Sequence, residues 1–275
     1  MDDQQPKPRR DWRSFGKEYV IVVLGVATAL AAQQAADWLH WRGEVALARE
    51  RLANEVALNL FGAILRIRTA SCGERRLDAL GLVLDDAAET GKLVPVGDIG
   101  VPTQRFWTTG VWDTVVASQA APHFPARQLY FLAAAYRFVG LLQADTSQEL
   151  EDWKDLYPMV GPGRRLDPAS EARLREALSR ARASNRVAAM HSLQLLRLVK
   201  DLGLSFSPSD RALIADARQT SLTESKHTLF SPNGMSICEP IGLVPAGYGH
   251  APYSPLRPLM DEGIRRIPEL LGDAP

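Results

Sequence analysis

The sequence predicts a mainly α-helical protein, in which an N-terminal transmembrane helix continues into a helical bundle and an irregular C-terminal segment follows. Three observations support this fold class. A run of apolar residues lies near the N-terminus, and apolar residues then recur at spacings of three and four through most of the 275-residue chain. Residues 231–258 contain six prolines and four glycines, a composition that excludes a regular helix or a central strand.

The apolar run predicts a single membrane-spanning helix. Residues 20–32 carry no charge, which alone is short of the roughly 20 residues that a bilayer requires. Counted from Tyr19 to Trp41 the segment has 23 residues, or roughly 35 Å of helix. Tyr19 at one end and Trp38 and Trp41 at the other match the aromatic belts of two membrane interfaces.

Three interpretations of this segment compete. It is an uncleaved signal anchor, a signal peptide cleaved after the small-residue site Ala29-Leu30-Ala31, or a buried helix of a soluble protein. We favour the anchor, because the belts and the basic flank agree. The basic residues that precede the span are Lys7, Arg9, Arg10, Arg13 and Lys17.

Residues after the span mix basic with acidic side chains, so the positive-inside rule places the N-terminus in the cytoplasm. We therefore expect a cytoplasmic tail at 1–18, the span at 19–41, a periplasmic helical bundle at 42–230, and an extended segment at 231–275 packed on the bundle. This organisation predicts a single-pass protein of the bacterial inner membrane.

Small residues at four-residue spacing predict a helix–helix contact within the span. Gly25 and Ala29 would allow close approach of a second helix, and Gln33 or Gln34 could hydrogen-bond across it. A homodimer through the transmembrane helix is the corresponding hypothesis. The alternative is that alanine is simply common in helices.

The rest of the chain reads as a series of helices. An amphipathic helix is expected from Val45 to about Ala70, broken at Ser71-Cys72-Gly73 and followed by a helix at 74–90. Further helices are expected at about 110–119, 126–144, 148–157, 208–227 and 259–271. The clearest helix begins at Asp167-Pro168, an N-cap followed by the first helical position. Its predicted buried seam is Leu174, Leu178, Ala181, Asn185, Ala188, Ser192, Leu195, Val199 and Leu202.

The two cysteines, Cys72 and Cys238, could pair if the domain is periplasmic, since that compartment is oxidising. A bond between them would attach the C-terminal segment to the first long helix. Closing so long a loop is worth roughly 5 kcal/mol in the chain-entropy model. The alternative is two unrelated buried thiols.

The sequence offers no catalytic, cofactor-binding or metal-binding constellation. No two of the five histidines share metal-ligand spacing, and we expect His191, beside the seam, to pack with a hydrogen bond. The densest aromatic cluster, Phe106, Trp107 and Trp112, is either a core anchor or a binding surface. Arginines on the long helix form a solvated face or a face for an anionic partner: Arg173, Arg175, Arg180, Arg182 and Arg186.

The segment EYVIVVLGVATALAAQQAADWLHW, leading into a charged helix, with the later pair Trp107 and Trp112, resembles a loose group of uncharacterised bacterial single-pass inner-membrane proteins. The resemblance implies an inner-membrane location and no established activity.

Acidic and basic residues balance at 32 each, so the chain has no net positive charge that would attract nucleic acid.

We therefore expect a membrane-anchored interaction or assembly protein that meets the lipid bilayer and an unknown protein partner, with no cofactor. The alternative is a hydrolase-like envelope enzyme whose site assembles only in the fold, for example around His123, His191 or His250 beside carboxylates.

Overall fold

The computed structural model describes residues 12–102, 106–219, 237–239, 241 and 257–266. These residues are mostly helical, as predicted. The helices are α1 (Trp12–Thr90), α2 (Gly110–Ala117), α3 (Ala126–Lys154), α4 (Pro168–Leu198), α5 (Pro208–Gln219) and α6 (Arg257–Arg265), and the strands are β1 (Lys92–Leu93) and β2 (Arg164–Arg165). The chain forms two compact units, Met1–Leu47 and Ala48–Pro275, here called unit 1 and unit 2.

The predicted irregular segment at 231–258 falls almost wholly outside the described residues, as does the second half of the helix predicted at 208–227. The short C-terminal helix is present as α6, which begins and ends earlier than the predicted 259–271.

Within unit 2, α1 is the central helix. The predicted apolar stripe is buried at Leu52, Val56, Leu60, Ala63 and Ile67. Between residues 62 and 67, however, every residue is buried, so the helix is enclosed on all sides there instead of being amphipathic. The sequence conceals this because one of the enclosed side chains, Arg66, is charged, and a charged residue is ordinarily expected to face solvent.

The predicted break at Ser71-Cys72-Gly73 is wrong, since α1 continues through it to Thr90. Gly73 is buried at a close approach of α4. A Cβ added at this position would lie 2.7 Å from Oδ1 of Asn185. The glycine therefore provides room for a neighbouring helix and does not end its own.

The two helices predicted at 126–144 and 148–157 are one helix, α3. The residues between the two predicted helices, Asp145-Thr146-Ser147, are polar. In the structure the Thr146 hydroxyl donates to the carbonyl of Leu142 at 2.7 Å, and Asp145 pairs with His191 on α4. Both polar side chains are satisfied within a continuing helix.

The predicted start and seam of α4 are confirmed. The Asp167 carboxylate accepts a hydrogen bond from the Ser170 amide at 3.0 Å, and the hydrogen bonds from Ser170 lower the pKa of this carboxyl. All nine predicted seam residues, from Leu174 to Leu202, are buried.

Contacts between helices fix their directions in unit 2: α3 and α5 run parallel to α1, and α4 runs antiparallel to it. The contacts that show this are Arg49–Gln128, Glu55–Tyr136 and Arg66–Glu149 for α3, Asn54–Asp210 and Arg68–Ala217 for α5, and Glu74–Arg186 and Arg182–Asp78 for α4. The small antiparallel sheet pairs Lys92 with Arg165 and Leu93 with Arg164. It closes an apolar cluster that includes Leu80, Leu84, Leu93, Trp153 and Leu178.

Substituting Gly73 and Gly140 by alanine tests close packing, because the two substitutions should change the free energy of unfolding in opposite directions. Gly73→Ala places a Cβ against Asn185, so we expect a loss of about 1–3 kcal/mol in the free energy of unfolding. Gly140→Ala, in α3, meets nothing within 4 Å and should stabilise by up to about 1 kcal/mol through helix propensity. Urea unfolding of the detergent-solubilised chain measures both. Equal effects from the two substitutions would contradict the close-packing role of Gly73.

Candidate functional site

The first functional feature is the apolar part of α1 in unit 1. This helix contains an 18-residue window of mean hydropathy 1.7, long and apolar enough to cross a membrane, and none of that window is buried. A core helix of similar composition would be covered by its own chain, so the interpretation as a buried helix of a soluble protein does not fit. A signal sequence would have the same properties, so this finding does not separate the anchor from the cleaved peptide.

The predicted helix–helix residues do not share one side of this helix. Gly25, Ala29 and Gln33 follow one another at four-residue spacing and stay on one side, whereas Gln34 lies about 100° further round the helix axis. A Cβ added at Gly25 would meet nothing within 4 Å, so packing within the chain does not require a glycine there. At the far end of the predicted span, the Arg42 guanidinium lies 4.9 Å from the ring centroid of Trp38.

In unit 2, buried polar residues of α1 attach the segment 106–117. Asn59 forms two hydrogen bonds with the backbone of Thr108, at 2.8 Å to its carbonyl and 3.0 Å from its amide. One turn earlier, the Glu55 carboxylate accepts from the amides of Val111 at 2.8 Å and Trp112 at 3.2 Å. A negative charge at the first turn of α2 is favourable, since the amides there have no partner within the helix.

Glu55 also accepts a hydrogen bond from the Tyr136 hydroxyl at 2.6 Å. Burial raises the pKa of Tyr136, and the hydrogen bond to Glu55 and its negative charge raise it further. Tyr136 therefore remains a neutral donor at any physiological pH. Through this contact, α3 is bonded to the same carboxylate that accepts hydrogen bonds from the first turn of α2.

The three aromatic residues singled out in the sequence lie in different environments. Trp107 is buried against Gly62 of α1, where an added Cβ would lie 3.4 Å from the indole, and its Nε1 donates to Thr146 at 2.9 Å. Trp112 is half-buried and stacks on Tyr136, with ring centroids 5.0 Å apart. Phe106 is 72% exposed. Trp107 is thus a core anchor, while Phe106 lies at the surface.

The interior of the bundle contains an ion pair. Arg66 of α1 and Glu149 of α3 approach to 2.6 Å with side-chain exposures of 6% and 3%. The same guanidinium nitrogen donates to Asn185 of α4, at 3.1 Å to its backbone carbonyl and 3.0 Å to Oδ1. Three helices therefore meet at one cation.

Burial raises the pKa of Glu149, and the neighbouring charges of Asp145 and Asp152 act in the same direction, while the positive charge of Arg66 opposes the rise. Nε of Arg66 is buried without a hydrogen-bond partner in the described part of the chain. Both facts indicate that placing these charges inside the bundle has a considerable desolvation cost.

Ion pairs between α1 and α4 extend this contact towards the end of α1. Arg186, Arg182 and Arg175 meet Glu74, Asp78 and Asp85 at 3.0, 2.9 and 2.8 Å in a constant antiparallel register. On the same helix, Arg180 pairs with Glu176 at 2.8 Å, and Arg173 donates to the Ser170 hydroxyl at 2.9 Å. The arginines expected to form a solvated face or an anionic-partner face thus mainly make contacts within the chain.

The histidines that the structure describes do not converge. His191 approaches Asp145 at 2.7 Å and contacts the Phe138 ring, as expected for a packing histidine. His123 is exposed at a short turn, and His250 lies outside the described residues. Among those residues, no group of three or more side chains could hold a metal ion.

Two of the clefts in unit 2 are lined by residues that the structure describes. One of about 690 Å³ lies at the start of α4 and is lined by Lys154, Arg165, Asp167 and Arg173, among others. The other, of about 350 Å³, lies between α4 and α6 and includes Leu193, Lys200 and Gly263. Neither is lined by a histidine. The pocket of histidines and carboxylates that the enzyme alternative calls for is therefore not one of these two.

The predicted disulfide is present. Cys72 of α1 and Cys238 are bonded at an S–S distance of 2.05 Å. Arg76, one turn along α1 from Cys72, donates to the carbonyls of Ile237 at 3.4 Å and of Glu239. Residues on both sides of Cys238 are thus attached to α1.

No family model, curated protein or solved structure matches this chain. The described residues therefore define only a class: a helical bundle whose first helix, α1, has an N-terminal part long and apolar enough to cross a membrane.

Sequence reasoning missed Glu55, Asn59, Arg66 and Glu149 as organising residues. The signal for the first three was present, since they recur on α1 at spacings of four and seven, alongside Gly62. No comparable sequence signal identified Glu149.

Proposed function

We propose that this chain is a single-pass protein of the bacterial inner membrane, with residues 1–18 in the cytoplasm and the segment 19–41 as an uncleaved signal anchor. Its helical unit lies in the periplasm and has an interaction or assembly role. The observation that carries the proposal is the wholly exposed apolar window of α1, in a chain whose other unit contains a disulfide.

The disulfide supports an exported location, because cytosolic reductants keep most thiols reduced and envelope compartments do not. Basic residues concentrated before the span support the orientation. Exposed apolar side chains on α1 from Tyr19 to Leu30 would be covered by lipid.

The interaction role is supported by how the interior charges are used. Glu55 accepts hydrogen bonds from α2 and from Tyr136, and Arg66 contacts side chains of two other helices. The arginines of α4 pair with carboxylates of α1. These groups hold helices together, which suits a rigid domain that presents its surface to another protein. The partner is expected to be a protein of the cell envelope.

Single introduced cysteines test the topology, because both native cysteines are in the disulfide. We expect Ala172→Cys, exposed on α4, to react with a membrane-impermeant maleimide once the outer membrane is permeabilised. Gln4→Cys should react only after the inner membrane is lysed.

The position of Gln4 also reports cleavage, since a processed chain would have lost it. Labelling of Gln4→Cys from outside, or no labelling of Ala172→Cys until lysis, would contradict the orientation. A mature chain without residue 4 would show that the span is a signal peptide.

We also propose that the span forms a homodimer through the side that contains Gly25 and Ala29. Gly25→Ile should lower the fraction of dimer in membranes several-fold, because the branched side chain separates the two backbones. Ala27→Ile, on roughly the opposite side of the helix, is the matched control and should leave the fraction unchanged. Chemical crosslinking of intact membranes measures both. Finding only monomer in the unsubstituted chain would refute the dimer.

A further inference from the structure

The two cysteine residues of the disulfide differ in their exposure to solvent. Cys72 lies within α1, and its residue is 4% exposed. Cys238 is half-buried, in a turn at 237–239. An attacking thiolate must reach one of the two sulfurs directly. Attack at Cys238 is therefore favoured over attack at Cys72.

A cation lies beside the sulfur of the less exposed cysteine. Nη2 of Arg75, an exposed residue of α1, is 3.4 Å from Sγ of Cys72. If the bond opened by attack at Cys238, Cys72 would be released as a thiolate next to this guanidinium. Neighbouring arginines stabilise thiolates, and a stabilised thiolate is the better leaving group in exchange.

The segment around Cys238 has attachments that do not depend on the disulfide. Arg76 donates to the carbonyls of Ile237 and Glu239 on either side of Cys238, and to Asp98 at 3.5 Å. Ile237 is 5% exposed and packs in the apolar cluster with Cys72 and Leu77. Burial lowers the pKa of Arg76 to about 10, so the guanidinium stays charged at neutral pH. With the bond open, Cys238 would remain near Cys72.

We propose that Cys72–Cys238 is a reversible thiol–disulfide exchange site, at which a thiol reductant attacks Sγ of Cys238 and Cys72 departs as a thiolate beside Arg75. The incoming sulfur forms a bond to Cys238 as the Cys72–Cys238 bond breaks, and the bonding electron pair moves to Sγ of Cys72. A second thiol of the reductant then attacks the mixed disulfide and releases Cys238. The protein disulfide gains two electrons and two protons, and the two thiols of the reductant become its disulfide.

The inference rests on the proposed exported location, where a disulfide and its thiol reductants would meet. Its consequence is that the segment containing Cys238 is covalently attached in one redox state and attached only through Arg76 and Ile237 in the other.

The test uses the full-length oxidised chain in detergent, with reduced glutathione as the probe. After an acid quench and alkylation, peptide mapping should find glutathione on Cys238 and the alkylating agent on Cys72. Glutathione on Cys72 would overturn the proposal. So would a bond that opens only as fast as the protein unfolds globally.

Substitution of Arg75 tests the leaving group. Arg75→Gln should slow reduction about threefold, because the departing thiolate loses its neighbouring charge. Arg75→Lys retains the charge, and Arg173→Gln removes an exposed arginine on α4, so both should react at the original rate. An unchanged reduction rate for Arg75→Gln would overturn the assignment of Cys72 as the leaving group.

The redox state of the isolated chain separates this proposal from the proposed location. A chain isolated from membranes with two free thiols would overturn the proposed location as well, whereas an intact but unreactive bond would overturn the exchange site alone.

Discussion

The contact between Arg66 and Glu149 places two opposite charges inside unit 2, and the arrangement of the helices depends on it. A buried charge without a partner is strongly unfavourable, so α1 and α3 must keep the register that brings these side chains to 2.6 Å. Asn185 adds α4 to the same guanidinium. The pair thus restricts the bundle to one alignment of three helices, whatever it contributes to the net free energy of folding.

Other polar residues of α1 extend this constraint along the helix. Glu55 receives the first turn of α2 and the Tyr136 hydroxyl, and Asn59 pairs with the backbone of Thr108. Glu74, further along, meets Arg186 of α4. Each neighbouring element is attached to α1 by a contact of defined geometry, while the surrounding apolar side chains supply non-directional burial. The result is a domain whose surface is presented by a fixed framework.

Apolar spacing and cap chemistry predicted the mainly helical fold, the start of α4 at Asp167 and its buried seam. These features are local, so they are visible in the sequence. The errors occurred where a long-range contact changed the meaning of a residue. Gly73 was interpreted as a break, but it makes room for Asn185. The stretch 126–157 was divided into two helices, but Asp145 and Thr146 find partners within α3 and α4 and the helix continues.

The candidate site was less predictable than the fold. The apolar N-terminal helix was predicted from composition, and the disulfide from the oxidising compartment expected for the bundle, whereas the contacts of Arg75 and Arg76 near the cysteines were not predicted. Adjacent arginines on a helix are ordinarily solvated, and only the position of residues 237–239 gives these two distinct roles. The Glu149 carboxylate was equally hidden, because nothing in its neighbourhood in the sequence shows that it faces Arg66.

A double-mutant cycle on the buried pair tests the central claim most directly. Urea unfolding of the full-length chain, followed by tryptophan fluorescence, would compare Arg66→Met, Glu149→Met and the double variant. Each single substitution should cost about 3–5 kcal/mol by leaving one buried charge unpaired, and the double variant should cost much less than their sum. Single substitutions that each cost under about 1 kcal/mol, or costs that simply add, would show that the bundle does not depend on this pair.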